Sequence, residues 1–331
     1  MISEEEIKLH ACRIPTMIAV SFMLFGVSVA VAQSYPTKPI RLIVAWGPGG
    51  APDIFARIVG QKLYEQISQP VIVDNRPGAT GNIGAGIVAS APPDGYTIFN
   101  ATLSLAISPS FYKKLPFDPV ASFTPVTMLA SVPLILVINP RLPAKSVPEL
   151  IAFAKSKPGS LNYSTVGNGS PAHVSAELFQ YMAKVKLVHV PYKSGGEMVT
   201  AILSGEAQLA FPAIAPALPH VKAGRLHAIA ITARKRSPVV PDVPTFAEAG
   251  LPEIEADNWN GIMAPAGTPK SVINKLHAEI VKAARAPEVA EQFARQGAEA
   301  NLSSPAEFSV VIKAEVMKWA KVVRAAGIEP Q

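Results

Sequence analysis

The stretch at residues 40–53, IRLIVAWGPGGAPD, constrains the fold more than any other. Residues 40–45 are apolar apart from Arg41 and rich in β-branched types, which predicts a buried strand. Gly47-Pro48-Gly49-Gly50 then turns the chain. Pro52 suits the first turn of a helix, where its missing N–H would be unpaired anyway. A glycine loop between a strand and a helix start can turn several backbone N–H groups outward, and the helix dipole adds partial positive charge. The stretch is therefore predicted to form a pocket for an anion, a carboxylate or a phosphate, with a tight turn that binds nothing as the alternative. A dinucleotide fingerprint needs G-x-G-x-x-G. Gly47 and Gly49 match it, but position 52 is Pro, so the mimicry is partial even with Asp74 closing the next strand.

The design occurs twice. Residues 161–164 read as a strand, followed by Thr165-Val166-Gly167-Asn168-Gly169-Ser170-Pro171 and a helix with Val174, Leu178, Phe179 and Met182 on its faces. Ser170 is a good N-cap and Pro171 suits the first helical position. Two such nests, one in each half of the chain, could close on one carboxylate. His173, in the first helical turn, would donate a hydrogen bond as a ligand contact or pack against the loop; it lacks the context of a Ser–His–Asp triad. Thr102 and Ser104 follow a strand at residues 96–99. Ligands in open α/β sheets sit outside the carboxyl ends of strands, so both hydroxyls are candidate lining groups. Trp259 offers an apolar wall to a cleft, or a core side chain. Arg76 could clamp a ligand, but beside Pro77-Gly78 it reads more readily as a turn residue bonded to backbone; Tyr192 and Lys193 could reach the cleft and read equally as a solvated turn.

The N-terminus reads as processing. Residues 17–29, MIAVSFMLFGVSV, are uncharged and mainly apolar, and Ala30-Val31-Ala32 is an A-x-A cleavage pattern, so residues 1–32 are expected to be a secretory signal peptide. Lys8 and Arg13 precede the apolar run, although Glu4-Glu5-Glu6 is unusual there. The run is short for a membrane span, which needs ~20 residues. The only cysteine, Cys12, leaves with the signal. The remaining 299 residues carry a formal charge of +7 and no cysteine, which excludes disulfides and thiol chemistry and suits a bacterial periplasm. No C-x-x-C or H-E-x-x-H spacing suggests a metal site, and no cofactor is expected. Arg234-Lys235-Arg236 is the one basic cluster, and no basic stripe carries interleaved aromatics, so nucleic acid is not an expected partner.

The remaining chain is long enough for two α/β lobes. The apolar run at residues 132–138 would carry it out of the first lobe, and a strand at residues 227–232 would carry it back. The expected division is residues 33–131 and 234–331 for lobe 1, with the C-terminal helix, and residues 132–233 for lobe 2. Capping boxes are predicted at Ser146/Glu149 and Ser194/Glu197, a cap at Thr268-Pro269, a short helix before Gly250, and a long last helix from Ser304-Pro305.

Seven separated motifs, IRLIVAWGPGGAPDIFAR, VDNRPGATGNIGA, PDGYTI, NYSTVGNGSPAH, HVPYKSGG, PDVPTFAEAGLP and WNGIMAPAGTP, resemble the periplasmic substrate-binding proteins of tripartite tricarboxylate transporters, the Bug-type family. The resemblance covers nearly all of the chain after the signal. It implies a periplasmic-binding-protein-like α/β fold of the type II, Venus flytrap kind, with two crossing strands and a small organic carboxylate held between the lobes. It implies that Trp46 takes an aromatic position before the loop, that Pro48, Gly49, Gly50 and Asp53 form one half of the site, and that Ser164, Thr165, Gly167, Gly169 and Ser170 form the other. Ala207-Gln208 stands where the family often has Val-Asp, and the segment Phe211-Pro212-Ala213 lacks a frequent acidic residue. This lip is expected to suit a ligand end with fewer ammonium groups. The resemblance implies a monomeric, non-enzymatic protein serving membrane permease subunits or, alternatively, a sensor kinase. A dehydrogenase or hydrolase is disfavoured by the broken glycine fingerprint and the absence of a G-x-S-x-G elbow.

Overall fold

In the computed structural model, residues 35–330 are described. The expected signal peptide and its cleavage site lie outside them. β1 (Ile40–Val44) pairs in parallel with β2 (Val71–Asn75) on one side and β3 (Thr97–Thr102) on the other. Parallel neighbours require crossover connections over a sheet face. α1 (Ala51–Ile67) links β1 to β2. A one-turn 3-10 helix (Ala79–Gly81) leads into α2 (Asn82–Ala89) and then β3. α3 (Ser104–Phe111) follows, then β4 (Phe123–Pro133). β10 (Asp257–Pro265) inserts antiparallel between β3 and β4, and β11 (Glu299–Ala300) closes the edge, for a six-stranded order β11-β4-β10-β3-β1-β2. α8 (Lys270–Ala284), α9 (Pro287–Arg295) and α10 (Pro305–Ala325) complete this lobe.

The excursion between β4 and β10 builds a second, five-stranded sheet. β5 (Ile135–Ile138), β6 (Asn162–Thr165), β7 (Val188–Pro191), β8 (Leu209–Ala210) and β9 (His227–Ile231) are ordered β7-β6-β8-β5-β9. They are interleaved with α4 (Val147–Ser156), α5 (Pro171–Ala183), α6 (Gly195–Ser204) and α7 (Ile214–Lys222). Each sheet organises its own core. Phe211 and Phe246 stack at 5.9 Å in the second, while Trp259 meets Phe308 edge-on at 5.2 Å in the first. The result is a two-lobed α/β fold.

Two connections cross between the sheets, and Thr232 joins them. Its Oγ1 accepts from the Leu134 amide at 3.0 Å and donates to the Ala256 carbonyl at 3.0 Å. Its own N–H donates to the Leu134 carbonyl at 2.9 Å. One hydroxyl thus satisfies backbone groups on both crossings, which would otherwise be buried and unpaired.

Several local expectations are corrected. β4 starts at Phe123, well before the apolar run, its beginning hidden by Thr124, Pro125 and Thr127, and the run itself is split between the end of β4 and β5. α9 and β11 carried no signal. The segment before Gly250 forms turns rather than a helix. Thr268 donates its hydroxyl to the Pro265 carbonyl and leaves Pro269 as the N-cap of α8. Ser146 and Ser194 cap α4 and α6 as expected by accepting from the Glu149 and Glu197 amides, but the return bonds from these glutamates go to the amides of Lys145 and Lys193, one residue ahead of the caps. Among the described helices, Ser304 and Glu307 form a full reciprocal box.

Candidate functional site

The first glycine loop is held from beneath. Asp53, 3% exposed, takes the Gly49 amide at 2.9 Å on one oxygen and Asn75 Nδ2 at 2.9 Å on the other. Arg57 Nε adds a bond at 3.0 Å. Burial pushes the Asp53 pKa up, but hydrogen bonds from Arg57, Gly49 and Asn75 outweigh it and hold the carboxyl below its ordinary value. Asp53 therefore spends its charge on the loop. Asn75 also donates to the Trp46 carbonyl at 2.9 Å, so one side chain at the end of β2 ties both ends of the turn together. Trp46 Nε1 reaches Thr102 Oγ1 at 3.2 Å, linking the ends of β1 and β3. Among the described residues, the amides of Gly47, Gly50 and Ala51 have no protein partner.

The second loop is more committed than its glycines suggest. Ser164 Oγ is buried and donates to the Met198 carbonyl at 3.0 Å. Thr165 Oγ1 accepts from the Gly167 amide at 3.1 Å and lies 2.6 Å from His189 Nε2. The Gly169 amide donates to His173 Nδ1 at 3.1 Å. Ser170 Oγ donates to the Gly167 carbonyl at 2.7 Å and accepts from the His173 amide at 3.3 Å, the expected N-cap. The donors left uncommitted, among the described residues, are the amides of Val166, Asn168 and Ala172. Both loops thus end parallel strands at the start of a helix and retain free N–H groups beside a dipole's positive end.

Comparison with known proteins defines the family. Residues 55–328 match the model of the tripartite tricarboxylate transporter family receptor. The chain belongs to this receptor family. It is 36% identical over 322 residues to protein BugT of Bordetella pertussis, covering 96% of this chain and 99% of that one. An R. palustris protein solved with adipate superposes with a TM-score of 0.84 at 34% identity, covering 90% of this chain and 100% of the other. MatC from Rhodopseudomonas palustris, with bound malate, superposes with a TM-score of 0.81 at 31% identity, covering 87% of this chain and 100% of the other.

The first lobe also holds a polar floor on which the expected Thr102 and Ser104 are joined by Asn82, which sequence reasoning missed. A cavity of about 10 Å³ is lined by Ala45, Gly81, Asn82, Thr102 and Ser104, among others. That is room for about one water. Asn82 Nδ2 and Ser104 Oγ are buried there without a protein partner, while Asn82 Oδ1 accepts from Ser108 at 2.7 Å. α2 can approach because Gly84 packs on β1: a Cβ there would sit 2.9 Å from the Ala45 side chain and 3.2 Å from the Arg76 carbonyl. The glycine-rich helix was legible as a close packer; the polar residue at its start was the available signal for the floor.

The lobes touch at the second loop. Thr80 donates to the Asn168 carbonyl at 2.7 Å, and Tyr112 OH lies 3.1 Å from Thr80 Oγ1. Phe111 meets the His173 ring at 5.2 Å. In the first lobe Trp46 bonds Thr102, which lines the floor cavity with Ser104, and across the lobes the loop at residues 165–170 meets Thr80 and Phe111. Trp259 lies apart, 1% exposed in the core of the first lobe. Among the described residues, no cluster of three potential metal ligands occurs, and no helix is long and apolar enough to cross a membrane.

Proposed function

We propose that the chain is a periplasmic receptor that captures a small organic carboxylate between its lobes and delivers it to the permease subunits of a tripartite tricarboxylate-type transporter. The observation that carries this reading is a pair of glycine loops, one per lobe, each with uncommitted amides at a helix start, together with two buried donors that lack a protein partner, Asn82 Nδ2 and Ser104 Oγ. The bound adipate and malate of its structural relatives support the ligand class.

On this reading the loop at residues 46–50, with Thr102, Ser104 and Asn82, receives one end of the ligand. The loop at residues 165–172 receives the other. Residues 33–133 and 256–331 act as one jaw and residues 134–255 as its partner, a later return than the expected residue 233, because Val240, Val243, Phe246 and Ile254 pack in the core of the second sheet. Affinity comes from charge-assisted hydrogen bonds of backbone donors to a carboxylate, reinforced by the dipoles of α1 and α5. Closure removes water around the acid, and the ligand favours the closed state by its differential contacts there. No catalytic group is required.

The test is thermal unfolding of residues 33–331 with C4–C6 dicarboxylates including malate and adipate, with NAD(H), and without ligand. A matching acid at a hundredfold excess over Kd should add ~2.7 kcal/mol of stability. A shift with nucleotide alone would overturn the reading.

A further inference from the structure

Behind the second loop stands a column of rings that the binding of an acid does not itself require. Tyr163 of β6 stacks on His189 of β7 at 5.0 Å, and His189 stacks on His173 of α5 at 4.2 Å. Phe111, from α3 of the other lobe, closes the column edge-on. His173 is 6% exposed. The ionisable neighbours are Glu177, whose Oε1 lies 3.8 Å from His173 Nε2, and Tyr163, whose hydroxyl donates to Glu177. Gln180 Nε2 also donates to Glu177, at 2.7 Å.

The hydrogen bonds assign the His173 tautomer and constrain that of His189. The Gly169 amide can only donate, so His173 Nδ1 accepts and its proton sits on Nε2, facing Glu177. Thr165 Oγ1 already accepts from Gly167. Its own hydrogen has two acceptors in range, His189 Nε2 at 2.6 Å and the Gly167 carbonyl at 3.5 Å. With that hydrogen on the 2.6 Å contact, His189 Nε2 accepts and its proton sits on Nδ1; a donating Nε2 would instead turn the hydroxyl to the Gly167 carbonyl.

We infer that His173 and His189 are positioning residues for ligand capture, two neutral imidazoles whose acceptor nitrogens set the conformation of the loop at residues 165–170 from behind. His173 acts on the loop through the Gly169 amide and His189 acts through the Thr165 hydroxyl, which in turn holds Gly167. Neither ring needs to touch the ligand. Taking up these groups leaves Val166, Asn168 and Ala172 as the loop's donors. Position 169 calls for glycine: its φ is +73°, and a Cβ there would meet the Phe111 ring at 3.2 Å. Burial pushes His173 down to about 3, helped by the neighbouring His189, and pushes His189 down to about 4, consistent with rings that stay neutral acceptors.

The inference rests on the carboxylate reading of the second loop, but its first test needs no ligand. The full chain with 15N-labelled histidine is titrated by NMR. The result expected is His173 protonated on Nε2, His189 protonated on Nδ1, and neither titrating near 6.5. The opposite tautomer, or a normal titration, at either ring overturns the inference. The second test compares His173→Leu and His173→Asn with whichever panel acid stabilises the wild type. Leu removes the acceptor and should weaken binding about tenfold, the equivalent of one hydrogen bond. Asn, whose Oδ1 can replace Nδ1, should recover most of it. Equal affinity in the Leu variant and the wild type overturns the positioning role. If no acid binds the wild type, it is the carboxylate reading that fails, while the titration still decides the tautomers.

Discussion

Ser104 and Asp53 show how differently two buried polar residues can be used. Asp53 is surrounded by donors from Gly49, Arg57 and Asn75, so its oxygens are consumed in holding the loop. The motif placed it at the site, and the structure gives it the task of shaping the turn. Ser104 Oγ is buried without a partner at the floor cavity. Removing this hydroxyl gives up no hydrogen bond to protein, and a buried group without a protein partner contributes little to the fold. Ser104→Ala should therefore leave the urea midpoint of the ligand-free protein unchanged or slightly raised. Its affinity for the stabilising acid should fall about tenfold if that hydroxyl meets the carboxylate. Parallel chemical unfolding and calorimetric titration separate the two effects.

At the scale of elements, the repeated unit of strand, glycine loop and proline-started helix was legible because its signals are local. β1 with α1 and β6 with α5 both formed where apolar runs and Pro52 or Pro171 predicted them. The caps differ. α1 begins at Gly50 with no side-chain cap, whereas Ser170 bonds the His173 amide at the start of α5. Ser170→Ala should destabilise the protein by ~1 kcal/mol, as loss of an N-cap does. Because Ser170 also donates to the Gly167 carbonyl, loop amide exchange should quicken beside it. A urea midpoint equal to wild type would remove Ser170 from its capping role. β4 was only half legible, since its polar interruptions at Thr124 and Thr127 are accommodated by neighbours far along the chain. Thr127, for instance, donates to the carbonyl of Ser303 at 2.8 Å.

The whole molecule brings the stacked histidines out of water, and stability should respond to pH accordingly. In the unfolded chain both rings take up a proton near their ordinary 6.5; in the folded protein they resist until about 4 and about 3. The unfolded state thus binds more protons in that window, so stability is full above 6.5 and declines as pH falls toward the folded values. Asp53 and Asp74, both held below their ordinary 3.8, act in the same direction but only at lower pH. Urea midpoints at pH 7.5, 6 and 4.5 should therefore fall progressively. A flat profile across that range would show that the rings are not neutral and buried together.

The sequence by itself determined the two-lobed α/β plan and the position of both glycine loops. Apolar runs, proline at helix starts and serine caps act within a few residues, so their physics is written along the chain. Only the tertiary structure decided which loop amides remain for a ligand. That outcome is a competition for hydrogen bonds among groups distant in sequence. Asn75 reaches Asp53 and Trp46, His189 reaches Thr165, and Thr80 reaches Asn168. The crossing joint was likewise undecided until folding brought Thr232 between Leu134 and Ala256. A backbone donor looks the same in any sequence; whether it is free depends on what the fold sets against it.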